Sequence, residues 1–289
     1  MNVKKFFIIT NKEKDPDNAL TGKIIEYIEN KGMTCQCSSP EMTNTTNDLA
    51  GDYRYTNAAI VPDDTDCIIV LGGDGTLIQA ADDLNGKDIP LLGVNIGTLG
   101  FLTDTDMDCV FKTIDLITEG RYEIDIRMML EGTIYSDGQE VYKNTALNDI
   151  VINRCSALKI VEFNIIVNGE YLNSYHADGV IISTATGSTA YSLSAGGPLI
   201  QPNAQLLMIT PICPHTLNRR SIILGADDEI TIEICNSKKY IDDQMAFFDG
   251  ESYCKMASGD RIIIKRAAQV VKFIKTNKLS FVQRIRNKM

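Results

Sequence analysis

Two clusters in this chain carry residue types suited to handling phosphate and sugar groups. The first is Gly72-Gly-Asp-Gly-Thr76. Its glycines permit close backbone approach, so consecutive amides can face an anion, and a helix opening at Thr76 would add the partial positive charge of its N-terminus. Gly72, Gly73, Gly75 and Thr76 therefore read as a phosphate-donor loop, although no lysine follows the glycines as it does in a Walker loop. Asp74 beside phosphates makes sense as a base that takes a proton from an attacking hydroxyl, or as a partner of Mg2+; a helix cap is the purely structural alternative. The second cluster runs from Ser183 to Pro198 and is crowded with Ser and Thr hydroxyls and glycine. It is too polar for a core strand and too glycine-rich for a long helix, and it suits a sugar-phosphate ligand.

Weaker candidates surround these clusters. Asn148-Asp149 precedes the apolar Ile150-Val-Ile152 and pairs an amide with a carboxylate, a combination that suits ribose hydroxyls or a simple turn. Asp178 lies before Gly179 as a turn residue would, directly ahead of the hydroxyl-rich run. Lys159 reads as a solvated strand lysine, with a phosphate contact as the alternative. Met245 to Phe248 read as packing residues, and Asp249-Gly250 as a turn. Phe247 and Phe248 cannot both face one side of a regular strand.

The elements that must position these residues change character near Arg121. Before it, Phe6–Ile9, Cys67–Leu71 and Pro90–Val94 read as buried strands, and helical periods cover Leu20–Ile28, Thr76–Leu84 and Asp108–Thr118. Alternating strands and helices imply a parallel sheet with helices on its faces. Residues 38 to 58 are polar and aperiodic and read as a surface loop. After it, alternation at Tyr122–Leu130, a hairpin signal at Asn168-Gly169, and apolar runs in Ile222–Cys235 and Asp260–Val271 imply a mainly β domain. The predicted division is thus 1–121, 122–270 and a basic tail, 271–289, read as a solvated amphipathic end with a phosphate-binding arm as the alternative.

Composition sets limits. A chain of 289 residues supports one large or two medium domains. A net charge of -10 argues against a nucleic-acid surface. Eight scattered cysteines without a CxxC pair, and only two histidines, argue against a zinc site or disulfide framework and suit a reducing cytoplasm. No apolar stretch reaches the length of a membrane span, and the start is too short for a signal peptide. The expectation is a cytoplasmic protein with neither membrane nor nucleic acid as a partner.

Taken together, Gly72–Thr76, Asn95–Phe101, Asn148-Asp149, Asp178–Thr184, Thr186–Pro198, Thr210–Leu217 and Asp249-Gly250 resemble the NAD kinases, in family order along nearly the whole chain. The glycine-aspartate motif alone is shared with lipid kinases; the run from Thr186 is far more specific. The resemblance implies a Rossmann-like α/β N-terminal domain and an all-β C-terminal sandwich with NAD bound between them, a tail returning to the first domain, and a homodimer or homotetramer. The implied reaction moves the terminal phosphoryl group of ATP, or a similar donor, to the 2'-hydroxyl of the adenosine ribose of NAD, with Mg2+ or another divalent cation carried mainly by the donor phosphates. By similarity Asp74 is the general base and Gly75 abuts the ligand. Asn148, Asp149 and Asp178 bind NAD, and Thr189, Ala190, Tyr191, Ser192, Leu193 and Ser194 line its site. Lys159, His176 and Glu251 hold positions of more variable NAD contacts. Ala185 replaces a usual proline, and His176 a common arginine. The rival readings are a lipid kinase, which would need an apolar acceptor groove, and an NAD-binding module without turnover.

Overall fold

The computed structural model describes residues 3–38, 55–84, 86–97, 100–155, 160–215, 219–235, 244–276 and 280–288. Lys159, most of the predicted surface loop, Asn85, Thr98-Leu99 and Thr216-Leu217 lie outside them. The chain divides into two compact units, Met1–Arg127 with Val271–Met289, and Met128–Val270.

The first unit is α/β. Strands β1 (Lys5–Thr10), β2 (Thr34–Cys37), β3 (Cys67–Gly72) and β4 (Leu91–Asn95) pair in parallel in the order β4-β3-β1-β2, with the two-residue β5 (Thr105–Asp106) also on β4. β3 and β4 are buried throughout, which explains why their sequences read as unbroken apolar runs. Helices α1 (Ala19–Asn30) and α3 (Val110–Thr118) send Ile24, Ile28, Val110, Ile114 and Ile117 into one core with Ile8, Ile69, Leu71 and Val94. Helix α2 (Asp74–Asp83) packs against β3 and β4. It begins two residues earlier than the sequence predicts, because Gly73 takes the extended N-cap conformation and Asp74 becomes the first helical residue, where its charge complements the helix dipole.

The second unit is antiparallel. β6 (Glu123–Ser136) carries the chain into it and forms a hairpin with β7 (Gln139–Ala146). One sheet contains β8 (Asp149–Arg154), β11 (Gly179–Ser183), β12 (Leu206–Ile212), β13 (Ile222–Gly225), β15 (Gln244–Phe248) and β16 (Ser252–Met256), in the order β13-β12-β11-β8-β15-β16. Facing it, β9 (Val161–Val167) pairs with β10 (Glu170–Ala177) and β14 (Ile230–Ile234), and β14 with the start of β17 (Arg261–Lys275). The Asn168-Gly169 hairpin is present, with φ of 52° and 79°. Period-two alternation builds the sandwich: Ile150, Ile152, Ala246 and Phe248 from one sheet meet Phe163, Ile165, Ile230 and Ile262 from the other. β17 runs to fifteen residues, longer than the short strands predicted there, and its far end enters the first unit, where Phe273 pairs with Leu91. The only α-helix among the described residues of the second unit is the four-residue α4 (Tyr191–Ser194). The chain ends in α5 (Phe281–Lys288), which belongs to the first unit.

Candidate functional site

In the first unit the chemistry centres on Asp74. The Phe101 amide donates to its Oδ2 at 2.5 Å, while Oδ1 accepts from the Leu102 amide at 3.1 Å, the Thr103 amide at 3.1 Å and the Thr103 hydroxyl at 3.2 Å. A carboxylate offers about four lone-pair sites. Oδ1 is therefore saturated, and Oδ2 keeps room for one further donor. The approach requires glycine at position 100, where an added Cβ would stand 1.7 Å from Oδ1.

The glycine turn is tied in from both sides. The Ile96 amide donates to the Gly72 carbonyl at 3.0 Å, and the buried Asn11 spans from the end of β1 to the Thr76 hydroxyl at 3.4 Å. A lysine does reach the turn, from a different element than in a Walker loop. A Cβ added to Gly73 would lie 3.2 Å from Lys14 Nζ, and one added to Gly97 would lie 3.9 Å from the same atom.

Cations from the chain end stand around this carboxylate. Arg284 donates to the Phe101 carbonyl at 3.2 Å and pairs with Asp104, whose other partner is Lys275 at 2.6 Å. Lys288 sits 4.0 Å from the centroid of the Phe101 ring. Burial lowers the pKa of all three cations, against the opposing pull of the Asp74 charge. For Lys275 the nearby Arg127 lowers it further.

The second unit holds a pocket of about 260 Å³ lined by Asn148, Asp149, Val151, Asn153, Ala190, Tyr191, Phe247, Asp249 and Gly250. Strand alternation accounts for three of these residues: Val151 and Asn153 lie on the face of β8 opposite Ile150 and Ile152, and Phe247 lies opposite Phe248. The hydroxyl-rich run is stitched to the pocket floor. The Thr184 hydroxyl donates to the Leu147 carbonyl at 2.7 Å and the Thr184 amide to the Asn148 carbonyl at 2.9 Å. Gly187 passes so close that a Cβ there would be 2.1 Å from the Asn148 carbonyl oxygen.

Asp249 organises this floor. Its carboxylate accepts from the amides of Leu147 at 2.6 Å, Asn148 at 2.7 Å and Asp149 at 3.0 Å, while its own amide returns a bond to the Asp149 carbonyl at 3.0 Å. It is a turn residue as the sequence suggests, with φ of 50°, but its side chain does more than turn the chain. Burial first, and the Asp249 charge second, push the Asp149 carboxyl up to about 8. Asp149 therefore keeps a proton at neutral pH and can donate a hydrogen bond. Tyr191 is also raised, by burial and then by Cys213, Asp178 and Asp149.

The structure thus brings Asn148, Asp149, Ala190 and Tyr191 into one pocket, and Asp178 lies near enough for Tyr191 to feel its charge. Asp178 also pairs with Arg154 at 3.4 Å. Leu193 and Ser194 are exposed on α4, and Thr189 precedes it with its hydroxyl on the Thr186 carbonyl at 3.1 Å. Ser192 points inward: it is fully buried, and its hydroxyl meets that of Thr210 at 3.1 Å. His176 is not among the pocket residues; it faces Glu162 at 3.7 Å on an open strand. Glu251 is exposed in the β15–β16 turn, its amide on the Phe248 carbonyl at 3.1 Å. Among the described residues no group of three or more His, Cys, Asp or Glu could hold a metal, all eight cysteines are free thiols, and no helix is long and apolar enough to cross a membrane.

Sequence reasoning missed the amides of 101–103, Lys14, Arg284 and the clamp made by Asp249. Only Asp249 left a signal, its place before Gly250 next to a strand whose two phenylalanines must face opposite ways.

Comparison with known proteins shows the family to which both domains belong. Residues 17–122 match the ATP-NAD kinase N-terminal domain, and residues 147–276 the ATP-NAD kinase C-terminal domain. An NAD kinase of Lachnospira eligens is 53% identical, covering 99% of this chain and 100% of its own length. One from Agathobacter rectalis is 44% identical, covering 99% of each chain. Among solved structures, a yeast NADH kinase complexed with NADH is 25% identical with a TM-score of 0.81, covering 99% of this chain and 87% of that one. An NAD kinase from Archaeoglobus fulgidus in complex with ATP shares the fold, with a TM-score of 0.75 at 20% identity over 98% and 96% of the two chains. The chain belongs to the ATP-NAD kinase family of phosphotransferases, through both its α/β and its β-sandwich domain.

Proposed function

We propose that this family member moves the terminal phosphoryl group of ATP to the 2'-hydroxyl of the adenosine ribose of NAD, with Asp74 as the general base. The observation that carries this reading is the asymmetry of the Asp74 carboxylate. Three donors occupy Oδ1 and one occupies Oδ2, so Oδ2 is the atom left to accept a hydroxyl proton. A hydroxyl is a weak nucleophile, and fixing the base in one orientation before the substrate arrives lowers the entropic part of the barrier.

Asn148, Asp149 and Tyr191 hold the acceptor through its ribose and neighbouring polar atoms, with Asp178, Thr189, Ala190 and Ser194 beside them. The protonated Asp149 donates to a ribose or phosphate oxygen, while Asn148 both donates and accepts. Donor phosphates sit on the Gly72–Thr76 turn, where first-turn amides of α2 and the Lys14 ammonium face them; Lys14 supplies from the turn after β1 the cation that a Walker loop carries in its own sequence.

Mg2+ would be held mainly by the donor's own phosphates and water. When bound it would offset phosphate charge; the protein's part is to place the base, the amides and the cations.

Asp74→Asn tests this. It keeps the size and one oxygen to accept from the Leu102 and Thr103 donors but cannot take up the proton. The expected outcome is a loss of about 10²- to 10⁴-fold in NADP formation with NAD affinity within a few-fold of the parent. Turnover near the parent level would remove Asp74 as the base.

A further inference from the structure

We infer that Arg284, on the C-terminal helix, is a positioning residue that sets the Asp74 carboxylate. The inference rests on the reading of Asp74 as the base. The link is a single peptide unit. The Phe101 carbonyl accepts from Arg284 Nη1 at 3.2 Å, and the Leu102 amide of that same unit donates to Asp74 Oδ1 at 3.1 Å. A trans peptide is planar, with its C=O and N–H pointing in opposite directions. Holding the oxygen on one side therefore aims the N–H on the other, and a charged donor on the oxygen polarises the amide toward the carboxylate.

The grip is two-handed. The same guanidinium pairs with Asp104, three residues further on, so both ends of the segment carrying the Phe101, Leu102 and Thr103 amides are fixed by one planar group. The Arg284 side chain is 11% exposed and the Asp104 side chain 4% exposed, so water does not compete for either bond. Lys275 completes Asp104 at 2.6 Å, and Lys288 covers the Phe101 ring at 4.0 Å. The basic chain end, read from its residues as a solvated amphipathic end or a phosphate-binding arm, acts as a clamp on the segment that orients the base. Arg284 touches no reacting atom in this scheme; it acts through the 101–102 peptide.

The test is a double-mutant cycle on the full chain, reading kcat for NADP formation, the KM of NAD and of ATP, and NAD affinity by calorimetry. Arg284→Ala should lower kcat by about 10- to 100-fold, the scale of a misplaced catalytic group, with both KM values and NAD affinity within about three-fold. Arg284→Lys keeps the charge but not the fork and should recover only part of the loss. In the Asp74→Asn background, Arg284→Ala should cost no more than about two-fold further, because the route through Asp74 is already closed. A merely structural role would multiply the two losses and raise KM, and that result overturns the inference. So does a normal kcat for Arg284→Ala when Asp74→Asn is impaired. An unimpaired Asp74→Asn would instead overturn the base assignment itself, so the two failures are distinct. If Arg284→Ala does not fold, Asp104→Asn, which loosens one end of the same grip, replaces it with the same expectations.

Discussion

Asp74 and Asp249 are held in the same way in different units, and they differ in the charges around them. Each carboxylate accepts from three consecutive backbone amides, 101–103 for Asp74 and 147–149 for Asp249. Around Asp74 the charged neighbours are cations, Lys275, Arg284 and Lys288, all of which feel its field. Beside Asp249 lies another buried acid, Asp149, whose proton is retained up to about 8. The amide grip is thus a way of fixing a carboxylate, and the surroundings decide its use. With cations about it and one lone pair of Oδ2 open, Asp74 is arranged to meet one further donor. With Asp149 beside it, Asp249 spends its capacity shaping the loop that presents Asn148 and a protonated Asp149 to the pocket.

The comparison can be broken at either grip, and the largest effects belong to Asp74. Beyond Asp74→Asn, the change Gly100→Ala should lower kcat by about 10²-fold while leaving NAD affinity near normal, since its Cβ would fall 1.7 Å from Oδ1 and force the base aside. Steady-state kinetics with calorimetric NAD binding separates the two quantities. Asp249→Ala should act the other way, raising the KM of NAD by roughly 10-fold or more with a smaller change in kcat. It orphans three amides of residues that are at most 9% exposed, so thermal unfolding should also come several degrees lower.

The smallest effect is one of pH. A free aspartate loses its proton near pH 3.9, whereas Asp149 in the fold keeps it to about 8. Between those values the folded state binds more protons than the unfolded chain, so stability falls as pH rises through that window and levels off above it. Thermal melts from pH 5 to 9 should show this decline, and Asp149→Asn should flatten it. An unchanged slope in that variant would mean that Asp149 does not keep its proton at neutral pH.

The parts of the site that were legible in the sequence are those whose side chains announce a backbone need. The glycines at 72, 73 and 75 mark a turn that approaches something closely, and the run after Ser183 is too polar for its buried position unless its hydroxyls are used. Strand runs were legible because burial on two faces leaves no polar residues, as in Cys67–Gly72. The amide grips were not, because every residue but proline has an N–H and no side chain records where it points. Arg284 was illegible for another reason. In a basic segment, one arginine bound to Asp104 looks like its solvated neighbours, and 179 residues of intervening chain separate the two. The start of α2 fell at Asp74 rather than Thr76 because an extended Gly73 caps the helix, a conformation that the glycine-rich sequence permits without dictating.

The central claim is that Oδ2 of Asp74, not Oδ1, receives the proton of the ribose hydroxyl. A crystal structure of the protein with NAD bound measures this directly. The 2'-oxygen is expected within about 2.6–3.2 Å of Oδ2, with Oδ1 still on the Leu102 and Thr103 amides. A 2'-oxygen bonded to Oδ1, or one with Asp74 well out of reach and its amide contacts intact, would contradict it.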